Sequence, residues 1–181
     1  MRTPRLPAAV LAFAATFAMA FATGCGSSDQ SLSVKEGEPV TLGDLHYNVQ
    51  ITRYLNPDDV EDRSYLQGAP PLPNADYYLG VFMQVQNEGG TAQRLPQDFK
   101  VVDTDGNEFH ATPLTNDFAL QLGSQVEAHG QVPAVDSAAD TGPIQGSMVL
   151  FLVSQAAIEN RPLILQIPSA SGASGEVELD L

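Results

Sequence analysis

The chain has no tryptophan, one cysteine, three histidines and only eight lysines and arginines in 181 residues. Each shortage removes a class of protein. One cysteine cannot close a disulfide within the chain, so stability has to come from a hydrophobic core. Eight basic side chains against 22 acidic ones, net −14 at pH 7, leave no basic face for nucleic acid. The same balance disfavours a surface that lies flat on anionic lipid. His46, His110 and His129 lack close metal-ligand spacing to one another, and a cupredoxin-like copper site would need a cysteine or clustered histidine and methionine. The Gly-x-Ser-x-Gly elbow, the P-loop and the dinucleotide-binding fingerprint are all missing.

What is present begins at the N-terminus. Met1-Arg2-Thr3-Pro4-Arg5 is a short positive region, followed by an apolar run from Ala8 to Ala22 that ends in small residues. That order is the order of a secretory signal peptide. The alternative is a membrane-spanning anchor, for which the run is near the lower length limit and lacks a stop-transfer flank. The single cysteine stands directly after this run. Ala22-Thr23-Gly24-Cys25 resembles the bacterial lipobox, in which small residues precede a cysteine that becomes the lipidated N-terminus. The resemblance implies cleavage before Cys25 and a diacylglyceryl group on its sulfur. Two or more acyl chains anchor a protein stably where one binds only marginally. A free thiol or an intermolecular disulfide are the other readings of a leftover cysteine. Loss of residues 1–24 would take Arg2 and Arg5 with it and leave the chain more acidic still.

The expected organisation is therefore a signal peptide over 1–24, a lipidated tether over 25–37 and one domain over 38–181. The Ser-rich tether would reach about 20 Å as a flexible chain. From Pro39 onward the period is 2. Leu45, Tyr47, Val49 and Ile51 alternate with polar residues, and so do Tyr77, Leu79, Val81, Met83 and Val85. Phe99–Val102 and Glu108–Ala111 flank an Asp-Gly turn at 105–106, a hairpin signal. Ser124–Val132 reads as a weaker strand. Met148–Val153 is apolar on both faces, which predicts a central strand, and 163–167 and 176–181 complete the set. There is no βαβ alternation. About seven or eight short strands with Gly, Pro, Asn and Asp between them predict an all-β, antiparallel β-sandwich.

One short helix is expected in the 56–66 segment, with Asn56 as its cap and Pro57 at its first position. The acids Asp58, Asp59, Glu61, Asp62, Asp105, Asp136 and Asp140 fall in three loops, 56–76, 103–107 and 133–146. Strict strand reversal would bring these loops to the end of the sandwich opposite the tether, as an acidic recognition end. The stretch from Asp103 resembles the start of a calcium loop. Its twelfth residue is Leu114 rather than the glutamate an EF-hand needs, and a hairpin turn explains it better.

Taken together, several segments resemble an uncharacterised immunoglobulin-like domain of actinobacterial and other Gram-positive surface lipoproteins, akin to mycobacterial secreted antigens. They are Ile51-Thr52-Arg53, Tyr78 to Gly89, Phe99 to Asn107, and Val126 to Pro133 leading into Val149-Leu150-Phe151. That resemblance implies a sandwich fold and a surface or secreted setting, and it supplies no catalytic residues. The expected function is a membrane-anchored lipoprotein on the extracytoplasmic face, a non-catalytic binding or interaction module for a protein, glycan or cation. Cys25 is its lipidation site, and no catalytic residue, metal ligand or cofactor is assigned. The alternative is a calcium-binding module at the acidic loops, with a cell-envelope enzyme behind it.

Overall fold

The computed structural model describes residues 32–73, 76–169 and 172–181. The strands, in chain order, are β1 (Leu32–Lys35), β2 (Val40–Leu42), β3 (Leu45–Leu55), β4 (Asp76–Asn87), β5 (Gln93–Arg94) and β6 (Lys100–Val102). After them come β7 (Glu108–Thr112), β8 (Gln125–Val126), β9 (Gln131–Val132), β10 (Ser147–Ser154), β11 (Ile164–Pro168) and β12 (Ser174–Glu178). Three short helices intervene: α1 (Asp62–Tyr65), α2 (Ala138–Thr141) and α3 (Gln155–Glu159). The first sheet runs β1-β12-β11-β6-β7 and the second β7-β10-β4-β3-β2, so β7 belongs to both. Its residues 108–110 pair with β6, and Ala111 and Thr112 pair with β10. Neighbouring strands are antiparallel except β1, which lies parallel to β12. The antiparallel β-sandwich expected from the alternation is present, built from more and shorter strands. Ser124–Val132 is two two-residue strands with a turn between them.

The main core lies between the sheets. Leu79, Val81, Met83 and Val85 of β4 face Phe99, Val101, Leu165 and Ile167 of the other sheet across it, each almost completely buried. Tyr77, expected on the same face, is instead 41% exposed at the strand's start. Asn87 Nδ2 donates to the Thr91, Val126 and Glu127 carbonyls, which ties the end of β4 to the following loops.

A second apolar cluster covers the outer face of the second sheet. Tyr78 and Phe82 of β4 and Met148 and Leu150 of β10 point that way, against Leu55, Tyr65, Leu114 and Ala119. This is why β10 reads as apolar on both faces: both are covered. Gly80 lies between Leu55 and Met148, where an added Cβ would sit 3.0 Å and 3.2 Å from their side chains.

A β-bulge between Val49 and Ile51 reverses the parity of β3. Leu45, Tyr47 and Val49 face the main core, whereas Ile51, expected on that face, is turned outward and 40% exposed. The bulge carries Arg53 and Leu55 to the outer face opposite Gly80 and Tyr78. Leu32–Lys35, expected within the tether, form β1 beside β12. Past β1, the Glu36 carboxylate accepts hydrogen bonds from the Thr52 and Asp180 amides, at 3.0 Å and 3.1 Å, and so links the two sheets.

Candidate functional site

Cys25, the expected lipidation site, and the signal peptide before it lie outside the described residues. Among the described residues no helix is long and apolar enough to cross a membrane.

The acidic loops behave differently from the expectation. The helix of the 56–66 segment is one turn, Asp62–Tyr65, and it starts five residues after Pro57. Asn56 and Asp59 spend their side chains on turns instead: Asn56 Oδ1 accepts from the Asp58 amide and Asp59 Oδ1 from the Glu61 amide. Asp62 is 2% exposed. Its carboxylate pairs with Arg53 and accepts from the Asn56 amide at 2.8 Å. Burial of a carboxylate requires such partners. Asp105 accepts from Asn160 Nδ2 at 2.7 Å, and the Asp140 carboxylate accepts from the Asp136 amide at 3.0 Å.

Nor do the three loops share one end. The 56–73 segment folds over the outer face of the second sheet, where Tyr65 packs edge-on against Phe82 and Phe118, with ring centroids 5.0 Å and 4.8 Å apart. The 133–146 loop leaves β9 opposite Val85 and enters β10 opposite Met83, at the level of mid-β4. It reaches the same outer cluster through Ile144. Burial raises the Tyr65 phenol's pKa, partly offset by a backbone hydrogen bond from Ile144. Among the described residues no group of three or more His, Cys, Asp or Glu is placed to hold a metal ion.

The side chains of His46 and His110 are likewise paired. His46 Nδ1 shares a hydrogen with Thr41 Oγ1 at 2.9 Å, and its Nε2 is 3.1 Å from Glu88. His110 Nδ1 is 2.8 Å from Asp98. His129 takes a left-handed turn conformation (φ 57°), and its amide donates to the Gly89 carbonyl.

The feature that sequence reasoning missed is at the other end of the sandwich. A half-open cavity of about 410 Å³ lies between the β2–β3 hairpin tip, the 93–98 crossover and the end of β11. The hairpin tip is Gly43-Asp44, with Gly43 at φ 64°, the left-handed conformation that a two-residue turn of this kind needs. The crossover carries the chain from β5 to β6, that is, from beside the second sheet into the first. Leu42, Leu45, Leu95, Pro96 and Pro168 supply apolar wall. Asp44, Gln93, Arg94, Gln97 and Asp98 supply polar lining.

The rim is held in place by its own bonds. Gln93 Nε2 donates to Asp44 Oδ2 at 3.0 Å, and Arg94 Nη1 donates to the Gly123 carbonyl at 2.7 Å. A Cβ at Gly89 would collide with the Asp44 carboxylate, so glycine lets the hairpin tip pack against the turn after β4.

Tyr47 lines this cavity and is 2% exposed. Its ring packs edge-on against Phe99, centroids 6.4 Å apart. Its hydroxyl makes no hydrogen bond with any described residue, and burial alone pushes the phenol's pKa upward. Among the described residues, Asn48 Oδ1, Thr52 Oγ1 and the Tyr54 hydroxyl are sealed without partners; the Tyr47 hydroxyl is not among these sealed atoms, and none of those three residues lines this cavity. The alternation in β3 identifies Tyr47 as inward-facing, but nothing local shows that the space beyond its ring is open. That depends on Leu95 and Pro168, about 50 and 120 residues away in the chain.

The chain matches no protein-family model and no curated protein sequence. Its fold does match solved structures. An uncharacterised β-sandwich protein of Clostridium difficile superposes with a TM-score of 0.51 at 11% identity, over 83% of this chain and 95% of that one. A candidate lipoprotein of Bacillus subtilis gives a TM-score of 0.53 at 15% identity, over 81% of this chain and 39% of that one. MPT63, a secreted protein of Mycobacterium tuberculosis, gives 0.54 at 15% identity, over 83% and 99%. The likeness is one of fold: this chain has the antiparallel β-sandwich found in these bacterial proteins.

Proposed function

We propose that the protein is a lipid-anchored, extracytoplasmic binding module that works without catalysis, and that its ligand occupies the cavity beside Tyr47. The observation that carries the ligand site is the cavity itself, with leucine and proline walls, a polar rim and, in its wall, a Tyr47 hydroxyl that bonds to no described residue. The volume is within the range of small-molecule sites, and a few polar groups among apolar walls is their usual composition. Export and anchoring rest on the order of residues 1–25, and the secreted protein and the candidate lipoprotein that share the fold support that setting. A non-catalytic role is supported by His46 and His110, which pair with surface carboxylates and a hydroxyl; neither they nor His129 line the cavity.

Two measurements test this. Cells that express the full chain and are fed an alkyne fatty acid should label it, and Cys25→Ala should abolish the label. Persistence of the label in the variant would overturn the anchor. Among the described residues all twelve strands and both apolar clusters fall within 32–181, so a chain starting at Gly26 is expected to retain the fold. Its melting temperature should rise by several degrees with at least one member of a panel of cell-envelope fragments and amphiphiles, since saturation at 100 times the dissociation constant adds about 2.7 kcal/mol. The rise should vanish in Gln97→Trp, which places a large ring at the cavity. A rise that persists in that variant would put the ligand elsewhere.

A further inference from the structure

The cavity opens at the end of the sandwich where the chain arrives from Cys25. Leu32, the first residue of β1, pairs with Gly175, and Gly175 pairs with Ile167 of β11. Pro168, the next residue of β11, lines the cavity. Across the sheets, an added Cβ on Gly175 would touch Val40 at 3.1 Å and the cavity residue Leu42 at 3.3 Å. The entry point of the chain is therefore one strand away from the cavity wall. Six residues separate Cys25 from Leu32. Even fully extended, that stretch spans no more than about 25 Å. A lipid on Cys25 would hold this end, rather than the end beyond Leu55, next to the bilayer. Leu32 itself is an apolar side chain left 49% exposed there.

The chemistry of the cavity narrows what it takes from that surface. Its walls suit a hydrocarbon chain. The Tyr47 hydroxyl bonds to no described residue and is a donor at the cavity wall, and a carbonyl oxygen beside such a chain supplies an acceptor. The rim carries two carboxylates, Asp44 and Asp98, against one guanidinium, Arg94, whose Nη1 is already on the Gly123 carbonyl. With a net charge of −14 behind it, that rim disfavours an anionic headgroup.

We infer that the cavity binds an ester-linked acyl chain of a neutral or zwitterionic membrane lipid, with the chain along the leucine and proline walls and the ester carbonyl accepting from Tyr47. This rests on the reading of the cavity as the ligand site.

The test uses the chain from Gly26 and a neutral probe, a monoacylglycerol with a pyrene-decanoyl chain, kept below its aggregation concentration and followed by pyrene emission. Saturable binding is expected. Tyr47→Phe should weaken it about fivefold, the usual worth of one hydrogen bond. The same variant should leave the melting temperature unchanged, because the hydroxyl bonds to nothing in the protein. Gln97→Trp should weaken binding at least tenfold. Equal affinity in Tyr47→Phe or in Gln97→Trp would overturn the inference. Absence of probe binding, with soluble envelope fragments still raising the melting temperature of the parent but not of Gln97→Trp, would sink the lipid ligand and leave the binding-module reading standing. Absence of both would sink both.

Orientation is read separately on the lipidated full chain in phosphatidylcholine vesicles containing doxyl-labelled lipid. A fluorophore at Gln97→Cys should be quenched more than one at Val60→Cys, a position 72% exposed beyond the far end of β3. Equal quenching would overturn the membrane-facing mouth.

Discussion

The two ends of the sandwich are finished differently. At the end beyond Leu55 the chain makes a long excursion, 56–73, in which several polar side chains meet partners nearby, although Thr52 Oγ1 and the Tyr54 hydroxyl on the β3 strand that leads into it are sealed without partners. Asp62 has Arg53 and the Asn56 amide, Tyr78 donates to the Pro70 carbonyl at 2.6 Å, and Asn116 Nδ2 donates to the Tyr65 and Gln67 carbonyls. At the end where β1 begins a cavity of about 410 Å³ is left between the sheets, and Tyr47 in its wall has a hydroxyl that bonds to no described residue. The first arrangement stabilises where a buried group such as Asp62 is compensated. The second gives up packing for an open space of the size that small-molecule sites have. Acidic residues follow the first pattern. They look like a recognition surface in the sequence and act as turn formers and an ion-pair partner in the fold.

The sharpest way to break this contrast is to remove the plug of the outer cluster. Phe82→Ala leaves a void beneath Tyr65 and should cost about 3–5 kcal/mol, measured as the urea midpoint multiplied by an unchanged slope. Next comes Arg53→Ala, which strands the buried Asp62 carboxylate. A loss of about 3 kcal/mol is expected, at the low end for a broken buried pair because Arg53 is itself about one-third exposed. A double variant with Asp62→Asn should recover part of it. No recovery would mean that the two side chains act independently. If these losses match that of the cavity-end substitution Tyr47→Phe, the two ends do not differ as described.

The smallest expected effect concerns pH. Asp103 is 5% exposed at the turn after β6. Burial pushes its carboxyl pKa up, but hydrogen bonds from the Asn107 side chain and amide, from Asn160 and from the Asp105 amide outweigh that and hold it below the ordinary value. A carboxyl with a lowered folded pKa contributes stability that is present above its unfolded pKa, about 3.9, and is lost as pH falls through the folded value. Unfolding free energy should therefore drop in that acid window, and Asp103→Asn should flatten part of the drop. An unchanged acid limb in the variant would remove Asp103 from the account.

Much of the fold was readable from alternation, because a sheet with one wet face writes itself into the sequence with period 2. Tyr47, Val81 and Phe151 were legible as core, and the apolar run of β10 as a central strand. Ile51 was not, since a single bulge at residues 49–51 inverts every side chain after it and no residue type announces it. The short helix of the 56–66 segment is there, but it starts at Asp62 rather than at Pro57, because the capping chemistry of Asn56 and Pro57 serves turns equally well. The candidate site was illegible in the sequence. A cavity is a relation between segments that are distant in the chain, and its residues, leucines and prolines above all, carry no chemical signature of their own.

The sequence by itself determined the class of the body, its acidity, its dependence on an apolar core and the place of its single cysteine after an apolar run. These follow from composition and local order. Only the tertiary structure decided that the acidic loops are consumed by their own turns, that a second apolar cluster covers the outer face, and that the unfilled space with Tyr47 in its wall lies at the end where β1 begins. The reason is physical: whether a polar group is satisfied, or a gap filled, depends on what the rest of the chain brings against it.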